Sequence, residues 1–445
     1  MTLYNKLKTY LIQNNHLNNS QIDKLTKIEK IELKLDVFLT EFSIDPKIVY
    51  EALAEILNIE FIDSIPTDYQ ISSFGNIEQY SKDGIMICFN SILLSSKDYL
   101  LITDISKINS LDIKKLRKKY HLALVLKKDF YHLIDKQFSR LNTQKATRAL
   151  NFLNPYFASE NIGYISALIK YCYMIIGFLI LSRNGLVAIH YLLYTCQTIL
   201  KTSLFLNSYL LPDKKSPDHV YLTQNPEKLP IYSILVPMYQ EEYGVKSILF
   251  NLKNLNYPKD KLDIKLIVEA DDTKSLTILN SIELPYYIEI IKVPYSEPRT
   301  KPKALNYAMS YIKGDYVTIY DVEDSPDRDQ ILKVISNFEN LPDNFACIQA
   351  KLNFYNKYEN LLSRLFSIEY SIWFDFLLPA LDRIGVPVPL GGNSNHFKVE
   401  VIRKIGLWDA YNVTEDADLG LRLFFAGYRT SYRFLYIRRI TLRDK

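Results

Sequence analysis

The stretch IYSILVPMYQEE, residues 231–242, decides the fold, because its apolar run predicts a strand that ends in carboxylates. The same order returns at residues 264–272 and 316–324, where apolar runs end in acidic clusters. Helical patterns lie between and after these strands, at residues 245–255 and 302–312. Alternating strands and helices predict an α/β domain with a doubly wound, mostly parallel sheet.

Acidic residues gather where ligands bind in such sheets, beyond the carboxyl ends of the strands. The clusters are Glu241–Glu242, Glu269–Asp272, Asp321–Asp324 and, at a predicted helix start, Glu415–Asp418. Carboxylates brought together repel one another unless a cation lies between them. Hard oxygen ligands suit Mg²⁺ or Mn²⁺ bound partly through substrate phosphates. The acids therefore predict a metal–diphosphate site.

The composition argues against several other classes of protein. None of the 13 glycines is spaced to form G-x-G-x-x-G, a P-loop or G-x-S-x-G. The four cysteines form no C-x-x-C and the six histidines no H-E-x-x-H, so neither a disulfide scaffold nor structural zinc is expected. Lys and Arg number 54 against 50 Asp and Glu, and this net charge of +4 predicts no nucleic-acid partner.

Six motifs resemble those of family 2 glycosyltransferases with the GT-A fold, in their membrane-bound cellulose synthase-like and glucan-synthase-like branch. In chain order they are ILVPMYQEE, VEADD, RTKPKALNYA, YDVEDSPDRDQI, PLGGNSNHF and GLWDAYNVTEDADLGLRL, within residues 229–430. The resemblance implies a Rossmann-like GT-A domain over residues 230–445. It also implies an inverting hexosyltransferase of the EC 2.4 type that uses a UDP-sugar.

The resemblance also implies a donor pocket. Its residues would be Pro237, Tyr239, Glu241, Glu269, Asp271, Asp272, Lys303, Asn306 and Asp321. Asp271 and Asp272 would read the uracil and ribose, and Lys303 would bring positive charge to the diphosphate. The alternatives are a solvated acidic turn for the two aspartates and an ordinary exposed helix lysine for Lys303.

Asp321-x-Glu323 stands where the family has its metal-binding D-x-D motif, and Asp324 would share or replace the role of Glu323. The resemblance assigns Mg²⁺ or Mn²⁺ to this place, where it would neutralise the leaving UDP. The alternative is a set of acids that caps the next helix.

Thr414-Glu415-Asp416 matches the family's T-E-D motif, which makes Asp416, beside Glu415, the expected general base. Thr414 is equally well explained as an N-cap. The acceptor side would be formed by Thr414 and by Gly391, Gly392, Asn393, Ser394, Asn395 and His396. Within this loop we expect His396 to be structural rather than catalytic.

Residues 1–150 predict a small separate α/β or α+β domain. The pattern LKTYLIQNNHLNNSQIDKL followed by SIDPKIVYEALAEILNIEFIDSIP resembles the N-terminal domain of type II secretion ATPases. Some relatives of that domain bind a cyclic dinucleotide. The Arg-Leu-Gly opening associated with that binding is absent here, so we do not expect it.

Two apolar runs within residues 160–210, at 164–181 and 186–206, are each about as long as a bilayer core is thick. They predict a transmembrane hairpin, followed by a linker at 211–229. Positive residues at both outer ends predict a multi-pass protein of the bacterial inner membrane with its catalytic domain in the cytoplasm. The alternative, supported by Lys170 and His190, is two buried helices.

The aromatic stretch 358–380 predicts either a core helix or an interfacial helix that rests on the membrane. After it the resemblance ends early, because no Gln follows Gln349 and the family's Q-x-x-R-W motif is therefore missing. The sequence thus predicts a C-terminally truncated transferase with a glycan or a lipid-linked acceptor, including a polyprenyl phosphate. The alternative is an inactive remnant that binds a nucleotide or a protein partner.

Overall fold

The protein is described here by a computed structural model of the 445-residue chain. The described residues are 2–27, 35–72, 77–90, 97–161, 164–180, 183–210, 226–354, 358–392 and 394–439. Most of the predicted linker, residues 211–225, and the chain end, residues 440–445, lie outside these ranges.

The N-terminal unit, residues 2–161, has a five-stranded sheet of order β1-β5-β4-β3-β2. The strands are β1 (Glu60–Ile62), β2 (Tyr69–Ile71), β3 (Ile85–Asn90), β4 (Tyr99–Ile102) and β5 (His121–Val125). The helices are α1 (Leu3–Gln13), α2 (Asn19–Lys27), α3 (Val37–Thr40), α4 (Pro46–Leu57), α5 (Ile77–Asp83), α6 (Ile113–Lys119) and α7 (Lys127–Leu153). The pairs β1–β5 and β4–β5 are parallel, and β2–β3 and β3–β4 are antiparallel.

Helix α4 shows how the sequence sets such an element. Asp45 caps its first turn by accepting a bond from the Lys47 N–H at 2.9 Å, and Pro46 follows at the first helical position. Asn58 ends the helix in the left-handed conformation, with φ 52°.

Helices α8 (Tyr164–Ile180) and α9 (Arg183–Leu210) lie where a transmembrane hairpin was predicted. Within the described ranges, no helix is both long enough and apolar enough to cross a membrane. The described part of α8 has 17 residues, where a bilayer core takes roughly 20, and α9 includes polar residues such as Gln197 and Lys201. The structure therefore does not support the predicted hairpin.

The C-terminal domain, residues 226–439, has an eight-stranded sheet of order β10-β13-β11-β12-β9-β6-β7-β8. The strands are β6 (Tyr232–Met238), β7 (Leu262–Glu269), β8 (Ile288–Val293), β9 (Tyr316–Ile319), β10 (Asp324–Pro326), β11 (Phe345–Phe354), β12 (Asn395–Lys398) and β13 (Arg429–Arg439). The helices are α10 (Gly244–Lys253), α11 (Thr273–Asn280), α12 (Lys301–Ala308), α13 (Gln330–Glu339), α14 (Leu361–Ser371), α15 (Leu378–Ile384), α16 (Val399–Lys404) and α17 (Glu415–Phe425). A π-helical segment, Ile372–Leu377, joins α14 to α15.

The predicted mostly parallel sheet is correct for four neighbouring strands and for the pair β11–β13. Strands β9, β6, β7 and β8 run parallel, whereas β12 is antiparallel to both β9 and β11. Strand β12 begins beside the carboxyl end of β9, where the Ser394 N–H lies 2.9 Å from the Ile319 carbonyl oxygen. It therefore runs back along β9 in the opposite direction. The sheet is thus mixed, and this reversal brings the 391–394 loop to the carboxyl end of β9.

One apolar core joins the two parts of the chain. It runs from Met86 and Phe130 of the N-terminal unit to Ile234 and Trp408 of the C-terminal domain. A second core lies within the N-terminal unit, around Leu7 and Leu53. Helix α7 therefore packs as part of the C-terminal domain as well as of its own unit.

Candidate functional site

The site is built around the first residue of α12. Thr300 caps this helix and Pro302 lies in its first turn, so Lys301 starts the helix. The Lys301 Nζ lies 2.8 Å from Asp321 Oδ1 and 3.1 Å from the Gly392 carbonyl oxygen. Burial alone would lower the pKa of Lys301, but Asp321 and Asp416 raise it, so the lysine stays charged. Lys301 thus joins the turn after β9 to the glycine loop before β12.

Asp416 lies in the first turn of α17 with only 5% of the residue exposed. Its Oδ1 accepts a hydrogen bond from the indole Nε1 of Trp408 at 3.1 Å. Burial is the largest cause that raises the pKa of Asp416, Lys301 and the Trp408 bond oppose it, Glu415 and Asp321 add to it, and the resulting pKa is about 7. Burial also raises the pKa of Glu415.

A carboxylate with a pKa near neutrality can take a proton and also give it up at neutral pH. The Oδ2 of Asp416 lies close to the glycine loop, which contains Gly391 and Gly392. A Cβ placed on Gly392 would lie 3.7 Å from that oxygen. Thr414 stands at the N-cap position of α17, but its side chain makes no capping bond there. Its hydroxyl instead donates to Asn412 Oδ1 at 3.1 Å.

A side chain of β11 binds the backbone of the predicted acceptor loop. Gln349 Oε1 accepts a bond from the Gly391 N–H at 2.8 Å, and Asn395 Nδ2 donates to the Gly391 carbonyl. Ser394 is buried with φ 52°. Asn393 lies outside the described residues. The structure thus brings the described part of this loop beside Asp416.

His396 lies deeper in the sheet, opposite Thr318. It is fully buried, with its Nδ1 2.7 Å from the Tyr232 hydroxyl. Burial lowers the pKa of His396 to about 3, so the ring is neutral at physiological pH. This setting favours the structural interpretation of the residue.

Three predicted donor-pocket residues point into the protein interior. Lys303 is fully buried and its Nζ lies 2.9 Å from Glu269 Oε1, so it is not an exposed helix lysine and its charge is already paired. Asn306 is 3% exposed and bonds to the backbone of Ala146 and Trp408.

The remaining donor-side residues line the ends of β6 and β7. Asp271 pairs with Arg299 at 2.7 Å, and the guanidinium of Arg299 lies 4.8 Å from the centre of the exposed Tyr239 ring. Pro237 is half-buried at the end of β6. Together they leave an exposed aromatic ring and an ion pair beside the ends of β6 and β7.

Asp272 has a different role from its neighbour. It caps α11 through Ser275, and its Oδ2 accepts the Gln240 N–H at 2.7 Å. Burial alone would raise its pKa, but the bonds from Ser275 and Gln240 hold the pKa below its usual value. Ser275 Oγ also accepts the Glu241 N–H at 3.0 Å, so Asp272 and Ser275 fix the turn that follows β6.

The predicted metal ligands are not all directed to one point. Asp324 is 1% exposed, and its Oδ2 accepts the Asp321 N–H at 2.8 Å, so it shapes the turn. Asp321 and Glu323 are half-buried in the same turn. Among the residues described, no three His, Cys, Asp or Glu side chains form a group that could hold a metal ion.

Four residues of the site were not singled out from the sequence. Lys301 and Arg299 lie in the RTKPK motif and Trp408 lies in the GLWD motif, so the motifs themselves carried the signal. No sequence motif indicated Gln349, because only the pairing of β11 with β12 brings it into contact with Gly391.

The fold and the site define an α/β domain with a near-neutral carboxylate and a lysine at the carboxyl edge of its sheet. Residues 230–436 match the family model described as glycosyltransferase like family 2. In sequence this segment is therefore similar to family 2 glycosyltransferases, and its sheet is mixed.

Several named proteins are similar to the chain over this region. It is 25% identical over 225 residues to the probable glycosyltransferase YdaM of Bacillus subtilis, covering 47% of this chain and 50% of that one. It is 24% identical over 243 residues to a beta-monoglucosyldiacylglycerol synthase of Trichormus variabilis, covering 54% and 51%. It is 27% identical over 212 residues to a poly-beta-1,6-N-acetyl-D-glucosamine synthase of Staphylococcus aureus, covering 47% and 49%. The chain spans about half the length of these relatives.

Among solved structures, the chain is similar to the mannosyltransferase PcManGT of Pyrobaculum calidifontis in complex with GDP-Man and Mn²⁺. The TM-score is 0.43 at 18% identity, covering 56% of this chain and 68% of that one. The resemblance of residues 1–150 to a secretion ATPase domain, the truncation and the membrane branch of the family stay predictions.

Proposed function

We propose that the glycosyltransferase domain transfers a hexose from a UDP-sugar to an acceptor hydroxyl with inversion at the anomeric carbon. The observation that carries this is Asp416, a buried carboxylate whose pKa is raised to about 7, beside the acceptor loop and near the Lys301–Asp321 pair. A base of this pKa matches the proton transfer that the reaction needs.

In this reaction Asp416 accepts the proton of the acceptor hydroxyl as its oxygen attacks the anomeric carbon. The new carbon–oxygen bond forms as the bond to the diphosphate breaks, and UDP leaves with that electron pair. Attack opposite the leaving group turns an α-linked donor into a β-linked product. The Trp408 N–H holds Oδ1, which leaves Oδ2 toward the glycine loop to take the proton.

The donor set of Asp321 and Glu323 suits Mg²⁺ or Mn²⁺, since these cations often take one or two carboxylates and fill their other positions with phosphate oxygens and water. When bound, the ion would supply positive charge to the leaving diphosphate. Lys301, 2.8 Å from Asp321, supplies a positive charge beside the same carboxylate.

The UDP-sugar is inferred from the family and from the surface at the end of β6. Tyr239 offers an exposed ring there, with Arg299 at its face and Asp271 beside it. An aromatic face stacks on a base and a carboxylate accepts hydrogen bonds from ribose hydroxyls. Two of the similar proteins are named as synthases of glucosyl and N-acetylglucosamine products, which supports a glucose-type donor.

For the acceptor, we propose a glycan or lipid-linked sugar reached at the cytoplasmic face of a bacterial inner membrane. Large apolar side chains are exposed along α8, α9 and α14, among them Met174, Leu192 and Leu365. A groove of about 620 Å³ lies between α9 and α14, with Phe205, Trp373 and Lys201 in its walls. Lipid contact would remove this apolar surface from water.

The experiment is release of UDP from UDP-glucose and from UDP-N-acetylglucosamine, with Mg²⁺ or Mn²⁺ and a β-glycan or lipid-linked acceptor. We expect Asp416→Asn to lose at least about a hundredfold in kcat, since general-base catalysis contributes this much. It should still bind UDP. Asp418→Asn is the matched control, because Asp418 pairs with Arg422 at 2.7 Å one half-turn further along α17.

Equal rates in wild type and Asp416→Asn would contradict the proposal. A folded wild type that binds UDP but releases none from either donor would favour an inactive nucleotide-binding protein instead.

A further inference from the structure

Helix α7 of the N-terminal unit presents one polar face to α12 of the glycosyltransferase domain. Asn142 Nδ2 donates to the Tyr307 carbonyl at 3.3 Å, and its Oδ1 accepts from the Ser310 hydroxyl at 2.6 Å. Asp135 accepts from the Tyr307 hydroxyl at 3.1 Å. Asp135, Asn142 and Ala146 follow one another at spacings of seven and four, so they lie on the same helix face.

Asn306 connects this face to the loop that precedes α17. Its Nδ2 donates to the Ala146 carbonyl at 2.9 Å and to the Trp408 carbonyl at 2.8 Å. Its Oδ1 accepts the Trp408 N–H at 3.1 Å. Both hydrogens of the amide are thus used, and one buried side chain ties the backbone of α7 to the backbone of Trp408.

Trp408 carries the connection to the proposed base. Its indole is fully buried, packs edge-on against Phe397 at 5.9 Å, and donates to Asp416 Oδ1 at 3.1 Å. Hydrogen bonds through Asn306 and Trp408 therefore lead from α7 to the carboxylate.

The same loop has two further contacts with the N-terminal unit. Asp409 Oδ2 accepts the Ser159 N–H at 2.7 Å. Gly406, with φ 94°, lies so close to α7 that a Cβ there would be 3.2 Å from the Leu150 Cα. Residues 406–409 are thus held against the N-terminal unit at three points.

We propose that Asn306 is a positioning residue, through which α7 of the N-terminal unit orients Trp408 and so the catalytic base Asp416. This rests on the proposed function, because it concerns the orientation of the base in that reaction. It gives the N-terminal unit a part in sugar transfer, since the loop before α17 takes its place against α7. Asn306 itself is 3% exposed, and its amide bonds go to the backbone of Ala146 and Trp408.

The test compares Asn306→Ala with Asn142→Ala. Both remove a buried amide from the α7–α12 contact, but only the first frees Trp408. We expect Asn306→Ala to lower kcat for UDP release tenfold or more, because small misplacement of a catalytic group is costly. The KM for the UDP-sugar should change less than about twofold. Asn142→Ala should lose similar thermal stability and keep kcat within about twofold.

Trp408 also gives a readout that does not depend on turnover. The chain has two tryptophans, so Trp373→Phe leaves Trp408 as the only indole. In that background, Asn306→Ala should shift the emission maximum of Trp408 and Asn142→Ala should not. Trp408→Phe, made in the wild-type background, removes the bond to Asp416 and leaves the Asn306 bonds in place. It should lower kcat as Asn306→Ala does.

Equal losses of kcat in Asn306→Ala and Asn142→Ala, or full activity in Trp408→Phe, would overturn the proposal while leaving the proposed function intact. An unchanged Trp408 emission in Asn306→Ala would also overturn it. A wild type that releases no UDP would instead overturn the proposed function, and the emission measurement would still decide whether α7 sets the surroundings of Trp408.

Discussion

Asp416 and Glu415 are adjacent carboxylates in α17, yet their surroundings differ. About 100° of helix rotation separates them, so Asp416 faces Trp408 and the glycine loop while Glu415 is only half-buried. Burial raises the pKa of both carboxyl groups, and the pKa of Asp416 is raised to about 7. Local burial, rather than residue type, is therefore what distinguishes Asp416, the proposed base, from Glu415.

The pH dependence of the reaction follows from this raised pKa. The base acts when deprotonated, so kcat/KM should rise with pH through about 7 and level off above it. Lys301 favours the charged carboxylate, so Lys301→Met should move the lower limb of the profile to higher pH by about one unit or more. Initial rates of UDP release between pH 5 and 9 would measure this shift.

Lys301→Arg is the matched control, since it keeps the positive charge and should leave the limb near its wild-type position. A Lys301→Met profile that coincides with the wild-type profile would show that this lysine does not act on the base.

At the scale of elements, α12 separates two lysines that the sequence places two residues apart. Lys301 at the helix start points to Asp321 and Gly392, whereas Lys303 turns inward to Glu269. The motif RTKPKALN therefore supplies one lysine to the site and one to the interior. Which lysine serves the site depends on the direction of the helix, which the motif alone does not specify.

The contact between α7 and the loop after α16 predicts a strong effect of Gly406→Ala. Gly406 has φ 94°, and a Cβ there would crowd both Leu150 Cδ1 and its Cα. We expect a loss in the free energy of unfolding of about 2–4 kcal/mol, from strain and the clash together. Urea unfolding followed by circular dichroism would measure it.

Gly385→Ala provides the comparison at this scale. Gly385 also has positive φ, 71°, but among the described residues no atom beyond its chain neighbours lies within 4 Å of a Cβ placed there. It should lose only about 1 kcal/mol, the cost of the backbone conformation. Equal losses in the two variants would show that the contact with α7 does not constrain the loop.

At the scale of the whole molecule, a buried charge cluster joins the two parts of the chain. Lys265 in the middle of β7 is fully buried, 2.9 Å from Asp263, and also pairs with Glu289. Lys127 of α7 lies 3.2 Å from Glu289 on the other side. Burial alone would raise the pKa of Glu289, but Lys265 and Lys127 hold it well below its usual value.

Lys265→Met should therefore destabilise the protein by about 3–5 kcal/mol at pH 7, because it leaves Asp263 and Glu289 buried with less positive charge. A carboxylate with a lowered pKa stabilises the fold above its unfolded pKa and loses that effect as pH falls through its folded pKa. The difference between wild type and variant should thus shrink toward pH 3. Denaturant unfolding at several pH values would test both statements.

Lys274→Met is the control for this prediction, since its ion pair with Glu242 is exposed on both sides. Its effect should stay below about 1 kcal/mol at all pH values. A similar small effect in Lys265→Met would show that the buried cluster contributes little.

The sequence predicted much of the local structure of the C-terminal domain and the chain order of the motifs at the site. Strands β6, β7 and β9 and helices α10 and α12 lie where their patterns placed them. These features depend on side-chain periodicity and capping, which are determined by residues close in the sequence. The apolar runs within residues 164–210 predicted membrane spans, and none of the described helices is long and apolar enough to be one.

The family 2 motifs follow from the sequence alone, because each is a short run of residues whose order survives in the unfolded chain. The tertiary structure decided which motif residues reach the site and which do not. Lys303, Asn306 and Asp324 are buried and hydrogen-bonded within the protein. Lys301 instead contacts Asp321, and Trp408 contacts Asp416. The orientation of these side chains is set only when the antiparallel β12 and the packing of α7 against α12 bring distant segments together.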